Sequence, residues 1–517
     1  MENIQRASAV RSRSAPGPSG WSQAFGSLRA VGKDPLRFFT ELTQTHGDIV
    51  QVRFPRLLMH VVSHPDLVRH VLQERQQIYR KGLEYELMKP LLGDGLLTSD
   101  GALWKRQRRL AQPAFHREKL SAFADLMVTR AGALADRWQR EPGPTDLHAD
   151  LMQLTLMVVG EALFGAELTE DGAKVGPALT EVLRLFAHRN RSLWLLVPLW
   201  VPIPSHQRFF RNREILNGVV DRVIAARRAE GNAGRSDLLS MLMEARDEVG
   251  TEPSPRPLVN ANTVPAPQQD SAGVARAPGA TPLSIAQRRG EGTRGRAGGT
   301  PFNQAPPPAM SDLQLRDECM TMLLAGHETT ANLLTWTLVL LARHPDIADR
   351  LREVIDSVLH GAPPTLEDLP KLGEVERVLK ESLRLYPPAW AISRILNEDD
   401  ELRGFQLPAG SQVLISQYVI QRLPDLWPDP ERFDPDRFLE AAEKQRPRFA
   451  YFPFGGGPRQ CIGKLFAMME AQLMLVVLLQ RSRIEIDPAR RIVAEPLITL
   501  RPLHGLPATV GARVAHH

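Results

Sequence analysis

The chain has 517 residues, of which 43% are hydrophobic and 24% charged, a composition typical of a large globular enzyme and not of a disordered or fibrous protein. Its two cysteines, Cys319 and Cys461, exclude a disulfide-stapled scaffold and a four-cysteine zinc site. Residues 250–310 contribute six arginines against three acidic residues, more than half of the formal net charge of +5. The net charge therefore gives little support for nucleic-acid binding, and no nucleic acid is expected as a partner.

The first 20 residues form a basic segment that is poor in acidic residues. Arg6, Arg11 and Arg13 stand against Glu2, without the apolar run that a secretory signal needs. We expect a disordered leader over residues 1–20, although a mitochondrial presequence has a similar composition. Since the chain has no uninterrupted apolar run of about 18 residues, the sequence predicts a cytoplasmic enzyme without a transmembrane anchor.

The periodicity of the rest of the chain predicts many helices and a few short strands. Residues 49–54 alternate between apolar and polar side chains, and residues 57–62 are the expected partner strand across a turn at 55–56. Ser311 is a suitable N-cap for a long central helix. Helical patterns cover three longer segments, residues 150–164, 312–343 and 374–385. The predicted fold class is mainly α with small β-sheets.

Residues 250–310 interrupt this pattern. The segment contains 11 prolines and eight glycines, with a single phenylalanine and no tryptophan or tyrosine. Because so few apolar side chains cannot offset the entropy lost on ordering, we expect a disordered insertion rich in Pro, Gly and Arg. We expect this insertion to interrupt a single domain over residues 21–510, which a tail at 511–517 follows.

The residues most informative about chemistry lie between Phe454 and Gly463. Glycines open a tight loop, Cys461 lies at its end, and a long apolar helix is expected from Lys464. Free N–H groups and the positive end of the helix dipole would stabilise a thiolate at this position. The glycines would let the backbone approach a flat ligand, so the thiolate could bind iron. An isolated cysteine is more often a small buried apolar residue, but the surrounding pattern favours the ligand role.

This run resembles the haem-binding loop of the cytochrome P450 family at every fixed position of the pattern F-x-x-G-x-R-x-C-x-G. The resemblance implies the cytochrome P450 fold, haem b as cofactor and Cys461 as the axial ligand of the haem iron. It also places Phe454 and Gly463 in the cofactor-binding loop. Arg459 would pair with a haem propionate, for which a bidentate guanidinium is suited.

A second match lies inside the predicted central helix. Ala325 and Gly326 form a pair of small residues ahead of Glu328 and Thr329, although a mid-helix glycine costs roughly 1 kcal/mol relative to alanine. In the family this point is the oxygen-binding groove, where an acid and an alcohol deliver protons. The resemblance thus implies cofactor contacts for the small pair and catalytic roles for Glu328 and Thr329. His327 stands at a position that varies in the family, and we reject it as an iron ligand.

A third match concerns structure and not chemistry. Glu381 and Arg384 lie three residues apart on one predicted helix face, and Arg432 follows in a Pro-Glu-Arg-Phe run. Together they resemble the Glu-Arg-Arg triad of the family, which holds the segment before the haem loop. Burial would make the loss of one partner costly, because the other charge would stay unpaired.

Three further positions are implied as haem contacts. Trp104 and Arg108 lie one helical turn apart, with the spacing of the family's Trp-x-x-x-Arg pair, and are expected to reach a propionate. Arg394 stands where the family often has another propionate-binding arginine. All three are assigned to cofactor binding.

The resemblance, which covers about residues 21–510, implies a haem-thiolate monooxygenase that inserts one oxygen atom from O2 into a lipophilic substrate by hydroxylation or epoxidation. Because 56 residues follow Cys461, we expect the electron donor to be a separate ferredoxin or flavodoxin with its reductase. Lys105, Arg106 and Arg109 could attract such an acidic partner, although solvated helix charges are common.

Three alternatives stay open. A peroxide-using haem-thiolate enzyme would not need the acid–alcohol pair, and a haem-based sensor or storage protein would not be expected to keep it. A scaffold protein that binds partners through the insertion would leave the haem motifs without a role. Turnover coupled to a reduced pyridine nucleotide distinguishes the monooxygenase from the sensor or storage protein.

The substrate is less well determined by the sequence. Most residues are apolar at the positions that line the substrate cavity in the family, namely Leu92, Leu96, Leu97, 193–200, 389–392 and Leu497. This lining is compatible with fatty acids, terpenoids or polyketide-like molecules, and no charged anchor can be assigned.

Overall fold

The computed structural model describes residues 13–18, 21–54, 57–165, 169–190, 197–231, 237–246 and 309–513. The predicted insertion at 250–310 lies outside the described residues except for its last two positions. The predicted turn at 55–56, the first 12 residues of the leader and the last four of the tail also lie outside them.

The described residues are mainly helical, as the sequence predicts. The α-helices, in chain order, are α1 Trp21–Lys33, α2 Pro35–His46, α3 Pro65–Arg69, α4 Leu83–Leu92, α5 Gly101–Ala111, α6 Arg117–Leu120, α7 Ala124–Arg140, α8 Leu147–Phe164, α9 Thr169–Asn190, α10 Pro204–Glu230, α11 Leu238–Glu244, α12 Asp312–Arg343, α13 Pro345–Leu359, α14 Gly373–Leu385, α15 Gln417–Ile420, α16 Glu440–Gln445 and α17 Lys464–Arg481. Helices α8, α12 and α17 contribute much of the buried core.

Short strands form small sheets at the periphery of this helical core. The strands are β1 Ile49–Phe54, β2 Leu57–Val62, β3 Tyr79–Lys81, β4 Gly143–Asp146, β5 Ile392–Leu396, β6 Asp400–Leu402, β7 Phe405–Leu407, β8 Gln412–Ile415, β9 Ser482–Glu485, β10 Ala494–Pro496, β11 Leu500–Pro502 and β12 Pro507–Ala512. The largest sheet has the order β1-β2-β8-β5-β3. Its β1 and β2 pair antiparallel, Ile49 opposite Val62, which confirms the predicted strand pair.

Helix α12 passes through the middle of the core. It begins after Ser311, whose side chain accepts a hydrogen bond from the Gln314 N–H while the Gln314 side chain accepts one from the Ser311 N–H. This capping box confirms the predicted N-cap and satisfies N–H groups that the first helical turn leaves unpaired. Most residues between Leu315 and Leu341 are buried on all sides, as expected of a helix that packs against neighbours around its whole circumference.

Both ends of the domain are more ordered than the sequence predicts. In the expected leader, the Arg13 carbonyl accepts a hydrogen bond from the Gln406 N–H and the Pro16 carbonyl accepts one from the Gln51 N–H. Residues 13–18 therefore lie against strands. In the expected tail, β12 continues to Ala512 because it pairs with β9.

The boundary of the predicted insertion also needs correction. Met310 belongs to the core, where its side chain is buried, and the Ala309 carbonyl accepts a hydrogen bond from Arg106. The packed chain therefore resumes before α12 and not at its first residue.

One helix among the described residues, Leu147–Phe164, is long and apolar enough by length and composition to cross a membrane. Most of this helix, 61%, is buried inside the protein, and α12 is among the elements packed against it. Buried core helices commonly have such a composition, so the helix gives only weak support for a membrane span.

Candidate active site around Cys461

The loop before α17 brings the Cys461 thiol to the end of a tight turn. The Cys461 N–H donates to the Phe454 carbonyl at 2.9 Å. Gly455 and Gly457 have φ values of +69° and +65°, which residues with side chains rarely adopt. A Cβ on Gly457 would lie 1.9 Å from the Leu72 carbonyl oxygen, so the loop fits against its neighbour only with glycine at this position.

The Cys461 side chain is accessible, yet protein surrounds it on most sides. Burial raises the pKa of the thiol, while a hydrogen bond from the Gly463 N–H and the charges of Arg108 and Lys464 lower it. The net shift is upward. The protein's own groups therefore do not fully stabilise a thiolate, and a cationic metal ion would complete that stabilisation by displacing the proton.

Basic and aromatic side chains from distant segments meet beside this loop. Arg459 donates from Nη1 to the Tyr79 carbonyl at 2.6 Å and pairs through Nη2 with Asp100 Oδ1, also at 2.6 Å. Its guanidinium carbon lies 5.5 Å from the centre of the Trp104 ring. Arg394 is buried and donates to the Ser393 carbonyl at 2.8 Å. Trp104 and Arg459 thus lie together, and the charge of Arg394 lowers the pKa of Arg459.

Arg108 lies on the same helix as Trp104 but contacts the cysteine loop directly. Its Nη1 donates to the Gln460 carbonyl at 2.8 Å. Burial lowers the pKa of Arg108, while the charge of Cys461 raises it. The predicted pair therefore meets the loop at two different points: Trp104 at Arg459 and Arg108 at Gln460.

Two charged residues of this region are missing from the sequence-based assignment. Burial lowers the pKa of Lys81 to about 7, and its ammonium donates to the carbonyls of Leu96 and Leu97 at 2.7 and 2.8 Å. Asp100 accepts from the Lys81 N–H at 2.6 Å and also holds Arg459. Neither residue belongs to a sequence motif. Their partners lie on other segments of the chain, so the sequence alone does not reveal these contacts.

The middle of α12 shows an accessible strip within an otherwise buried helix. Ala325 is exposed, and Gly326 and Thr329 are partly exposed, whereas the residues around them are buried. The Thr329 hydroxyl donates to the Ala325 carbonyl at 2.6 Å. A Cβ on Gly326 would lie 2.7 Å from Val159 Cγ2, so the glycine allows α8 to approach closely. Helix packing thus gives a reason for the glycine in addition to the predicted groove.

Glu328 and His327 lie away from this strip and are buried. Burial raises the pKa of Glu328, and a hydrogen bond from Thr499 and the charge of Arg501 partly oppose this shift. Burial lowers the pKa of His327 to about 4. Its ring lies near the backbone of Met152 on α8.

The structure brings two members of the predicted Glu-Arg-Arg triad together and places a different arginine beside them in place of the third. Glu381 and Arg384 form two hydrogen bonds of 2.7 and 2.8 Å and are both fully buried. The Arg432 side chain is exposed. Only the backbone carbonyl of Arg432 takes part, and it accepts a hydrogen bond from Arg384 at 3.1 Å. The arginine that faces Glu381 is Arg437, with Nε 3.5 Å from the carboxylate.

A repeated pattern in the sequence explains this difference. Residues 435–438 read Pro-Asp-Arg-Phe, one residue after the Pro-Glu-Arg-Phe at 430–433, so both arginines fit the motif. The turn between them directs Arg437 and not Arg432 toward α14. The second repeat was therefore the signal that could have identified Arg437.

Arg106 also differs from the expectation that it belongs to a basic docking surface. Its guanidinium is buried and donates to Gln314 at 3.3 Å and to the Ala309 carbonyl at 3.2 Å. It therefore ties α5 to the start of α12. Lys105 and Arg109 are exposed and line a groove of about 600 Å³ beside the cysteine loop.

Comparison with known proteins agrees with this geometry. The profile of the family Cytochrome P450 matches residues 16–262 and 302–503. Cyclooctatin synthase of Streptomyces melanosporofaciens is 34% identical over 511 residues, 98% of this chain and 98% of its own. Pentalenene oxygenase of Streptomyces avermitilis is 33% identical over 472 residues, 90% and 91% of the two chains.

A solved structure agrees as well. The crystal structure of the cytochrome P450DA heme domain superposes with a TM-score of 0.78 at 25% identity, over 97% of this chain and 98% of that chain. The fold class and the family predicted from the sequence are therefore confirmed. The chain belongs to the cytochrome P450 family and is an oxidoreductase of the monooxygenase class.

Proposed function

We propose that this monooxygenase hydroxylates or epoxidises a terpenoid, with haem b bound through Cys461. The names of cyclooctatin synthase and pentalenene oxygenase refer to terpenoids, and these relatives align with 98% and 90% of this chain. The observation that carries the proposal is an accessible thiol in a glycine-built loop, together with an accessible strip on a helix that is otherwise buried. We place the enzyme in the cytoplasm, where a reduced pyridine nucleotide is available.

The donor set around Cys461 fits a haem. The thiol accepts a hydrogen bond from the Gly463 N–H. Within the described part of the chain, the buried Nε of Arg459 has no hydrogen-bond partner. Arg394 and Arg108 add two further guanidinium groups, which suit carboxylates such as haem propionates. When bound, haem supplies a redox-active iron that reacts with O2.

The roles of the chain's own residues follow from this placement. Cys461 provides the thiolate sulfur, and the glycines of its loop permit close approach of a flat ligand. Arg459 and Trp104 would orient the cofactor from one side. Thr329 holds a hydroxyl proton at the accessible strip, where its bond to the Ala325 carbonyl keeps it in a defined pose. When Thr329 gives up this proton, the carboxyl group of the neighbouring residue Glu328 can supply another one.

The described part of the proposed substrate lining is apolar. Leu92 and Leu96 are buried. The Trp390 indole N–H donates to the Leu497 carbonyl at 3.0 Å, which joins two of the predicted lining segments. Residues 193–196 of a third segment lie outside the described residues. An apolar lining without a charged anchor suits a hydrocarbon skeleton such as that of a terpenoid.

A spectroscopic titration tests the substrate class. Terpene hydrocarbons and fatty acids of matched size are added to the haem-loaded protein, and the low-spin to high-spin change of the haem absorption is followed. We expect saturable changes with cyclic terpenes and oxygenated products in the presence of a reductase system. Saturable binding of fatty acids alone would contradict the proposal.

We further propose that a separate ferredoxin or flavodoxin, served by its own reductase, docks at the groove beside the cysteine loop. Lys105, Arg108 and Arg109 line this groove and give it positive charge. A positive surface next to the cofactor would steer an acidic donor toward it. Arg106, which is buried, does not contribute to this surface.

Charge reversal tests this docking surface. Lys105→Glu and Arg109→Glu are each expected to slow reduction by an acidic ferredoxin at low salt, while reduction by dithionite stays unchanged. Arg53→Glu, at the exposed position of β1, is the matched control with the same change of charge. Equal slowing by the control variant would indicate a general effect of net charge and would contradict docking at the groove.

A further inference from the structure

A row of polar side chains leads from α8 through α12 to the turn between β10 and β11. His148 Nε2 lies 3.0 Å from Asn332 Oδ1. The Asn332 amide donates from Nδ2 to the Thr499 hydroxyl oxygen at 3.0 Å. The Thr499 hydroxyl in turn lies beside the Glu328 carboxylate and lowers its pKa. All four side chains are at most 9% exposed, so the row is almost entirely buried.

The chemistry of these groups gives the row a direction. Because the Asn332 amide N–H donates to Thr499, the Thr499 hydroxyl hydrogen is free to point to Glu328. The Asn332 carbonyl oxygen faces His148, which must then carry its proton on Nε2. Each donor therefore points toward the next acceptor, and the last acceptor is the carboxylate of Glu328.

The turn that carries Thr499 is fixed to the protein at several points. The Trp336 indole N–H donates to the Leu500 carbonyl at 3.0 Å, and the Leu500 N–H donates to the Pro388 carbonyl at 2.9 Å. Across the same hairpin, Arg501 pairs with Glu495 at 3.1 Å. The Thr499 hydroxyl is therefore held at a defined position beside α12.

The charges that face Glu328 come from the hairpin. Arg501 lowers the pKa of Glu328, Glu495 raises it, and these two residues are paired with each other. His148 and His327 lie on α8 and α12, and burial lowers the pKa of both histidines, which makes them neutral near pH 7. Glu470 of α17 is close to Thr330, on a neighbouring position of α12. Thr499 is thus the neutral side chain whose hydroxyl lies beside the Glu328 carboxylate and lowers its pKa.

We propose that Thr499 is a positioning residue for Glu328 and that Asn332 and His148 hold its hydroxyl in the donating orientation. The inference rests on the proposed function, in which Glu328 supplies protons near Thr329. Thr499 keeps the carboxylate in a buried pose away from the accessible strip. Glu328 leaves this pose when it exchanges a proton and returns to it afterwards.

Infrared spectroscopy tests the pose without any turnover. The carboxyl stretching band that disappears in Glu328→Gln identifies Glu328, and its pH titration is compared between variants. In Thr499→Val the band should titrate at higher pH than in the wild type, because a hydrogen bond to the charged form is lost. Thr499→Ser should restore the wild-type titration.

Three further variants separate a specific effect from a general loss of packing. Thr337→Val removes a buried hydroxyl that donates to the Leu333 carbonyl on the same helix, and it should leave the Glu328 band unchanged. His148→Leu should shift the band in the same direction as Thr499→Val, whereas His148→Gln, which keeps an N–H donor, should shift it less. An unshifted band in Thr499→Val, or an equal shift in Thr337→Val, would overturn the proposal.

The loaded enzyme provides an independent readout. Thr499→Val should keep the thiolate type of carbon-monoxide spectrum and lose at least half of the product formed per reduced cofactor consumed, while Thr499→Ser keeps most of it. If the wild type lacks the thiolate spectrum, the proposed function fails, and the infrared result still decides the role of Thr499. Unchanged product yield in a variant whose band has shifted would show that the pose of Glu328 does not affect how much product forms per reduced cofactor consumed.

Discussion

Glu381 and Glu328 are both helical carboxylates in the core, but their partners differ. Glu381 receives two hydrogen bonds from Arg384, one from the Asp434 N–H at 3.0 Å and the nearby charge of Arg437. Glu328 lies beside the neutral hydroxyl of Thr499, and the charges of Arg501 and Glu495 shift its pKa in opposite directions. Burial raises the pKa of both groups.

This difference separates a structural carboxylate from one that can exchange protons. A carboxylate held by bidentate arginine contacts is fixed in one pose, and breaking such a buried pair leaves an uncompensated charge. A carboxylate held by a hydroxyl can take up a proton or rotate at much lower cost. The region around Glu381 therefore organises the segment before the cysteine loop, whereas the region around Glu328 would serve the proton transfer of the proposed function.

The largest expected effect concerns the structural pair. Arg384→Met leaves the Glu381 charge buried without its main partner, so we expect a loss of about 3–5 kcal/mol in the free energy of unfolding. Thermal unfolding and haem incorporation measure this loss. Arg432→Met, which removes an exposed side chain, is the control and should change stability by less than about 0.5 kcal/mol. Similar losses in the two variants would show that the Arg432 side chain also belongs to the triad.

Glu470 on α17 extends the comparison, because burial raises its pKa to about 8 and neither carboxyl oxygen has a hydrogen-bond partner among the described residues. Below pH 4.5 the group is neutral in both folded and unfolded states, and its destabilising effect grows as pH rises toward 8. Glu470→Gln should therefore gain stability relative to the wild type, by at most about 3 kcal/mol between pH 6 and 8.5. Chemical denaturation at the two pH values tests this prediction, and a constant difference would contradict it.

Thr329→Val tests the proton-exchanging region. The variant keeps the shape of the side chain and loses the hydroxyl that contacts the Ala325 carbonyl. We expect it to bind haem and substrate but to form about tenfold less product per reduced cofactor, with hydrogen peroxide released instead. Thr335→Val, on the same helix, provides the control. Unchanged product yield would remove Thr329 from the mechanism and favour the peroxide-using alternative.

The smallest effect is expected from the segment before α12. Replacement of residues 251–306 by a short Gly-Ser linker should change stability by less than about 1 kcal/mol and leave haem uptake intact. Met310 and Ala309 are retained in this variant because both contact the folded protein. Loss of haem uptake in the deletion variant would show that the segment contributes to the fold.

The sequence predicts those features whose cause is local. Capping of α12 by Ser311, pairing of β1 with β2 and the glycine loop at Cys461 each depend on a few neighbouring residues. Glu381 and Arg384 are predicted for the same reason, since three residues along a helix place them on one face. Their contribution could therefore be inferred before the fold was known.

Other features depend on contacts between distant segments. Arg432 and Arg437 stand in nearly identical local patterns, and only the path of the chain determines which one meets Glu381. Arg106 looks like its exposed neighbours in sequence, but α12 covers it. Thr499 carries no motif, because its link to Asn332 joins residues 167 positions apart. Pairings of this kind require the tertiary structure.

The most direct test of the account is the carbon-monoxide spectrum of the reduced, haem-loaded protein, compared between the wild type and Cys461→His. If Cys461 binds the iron, the wild type should show the strongly red-shifted Soret band of a thiolate complex, Cys461→His should lose it, and Cys319→Ala should match the wild type. A red-shifted band that persists in Cys461→His would contradict the assignment of Cys461 as the iron ligand.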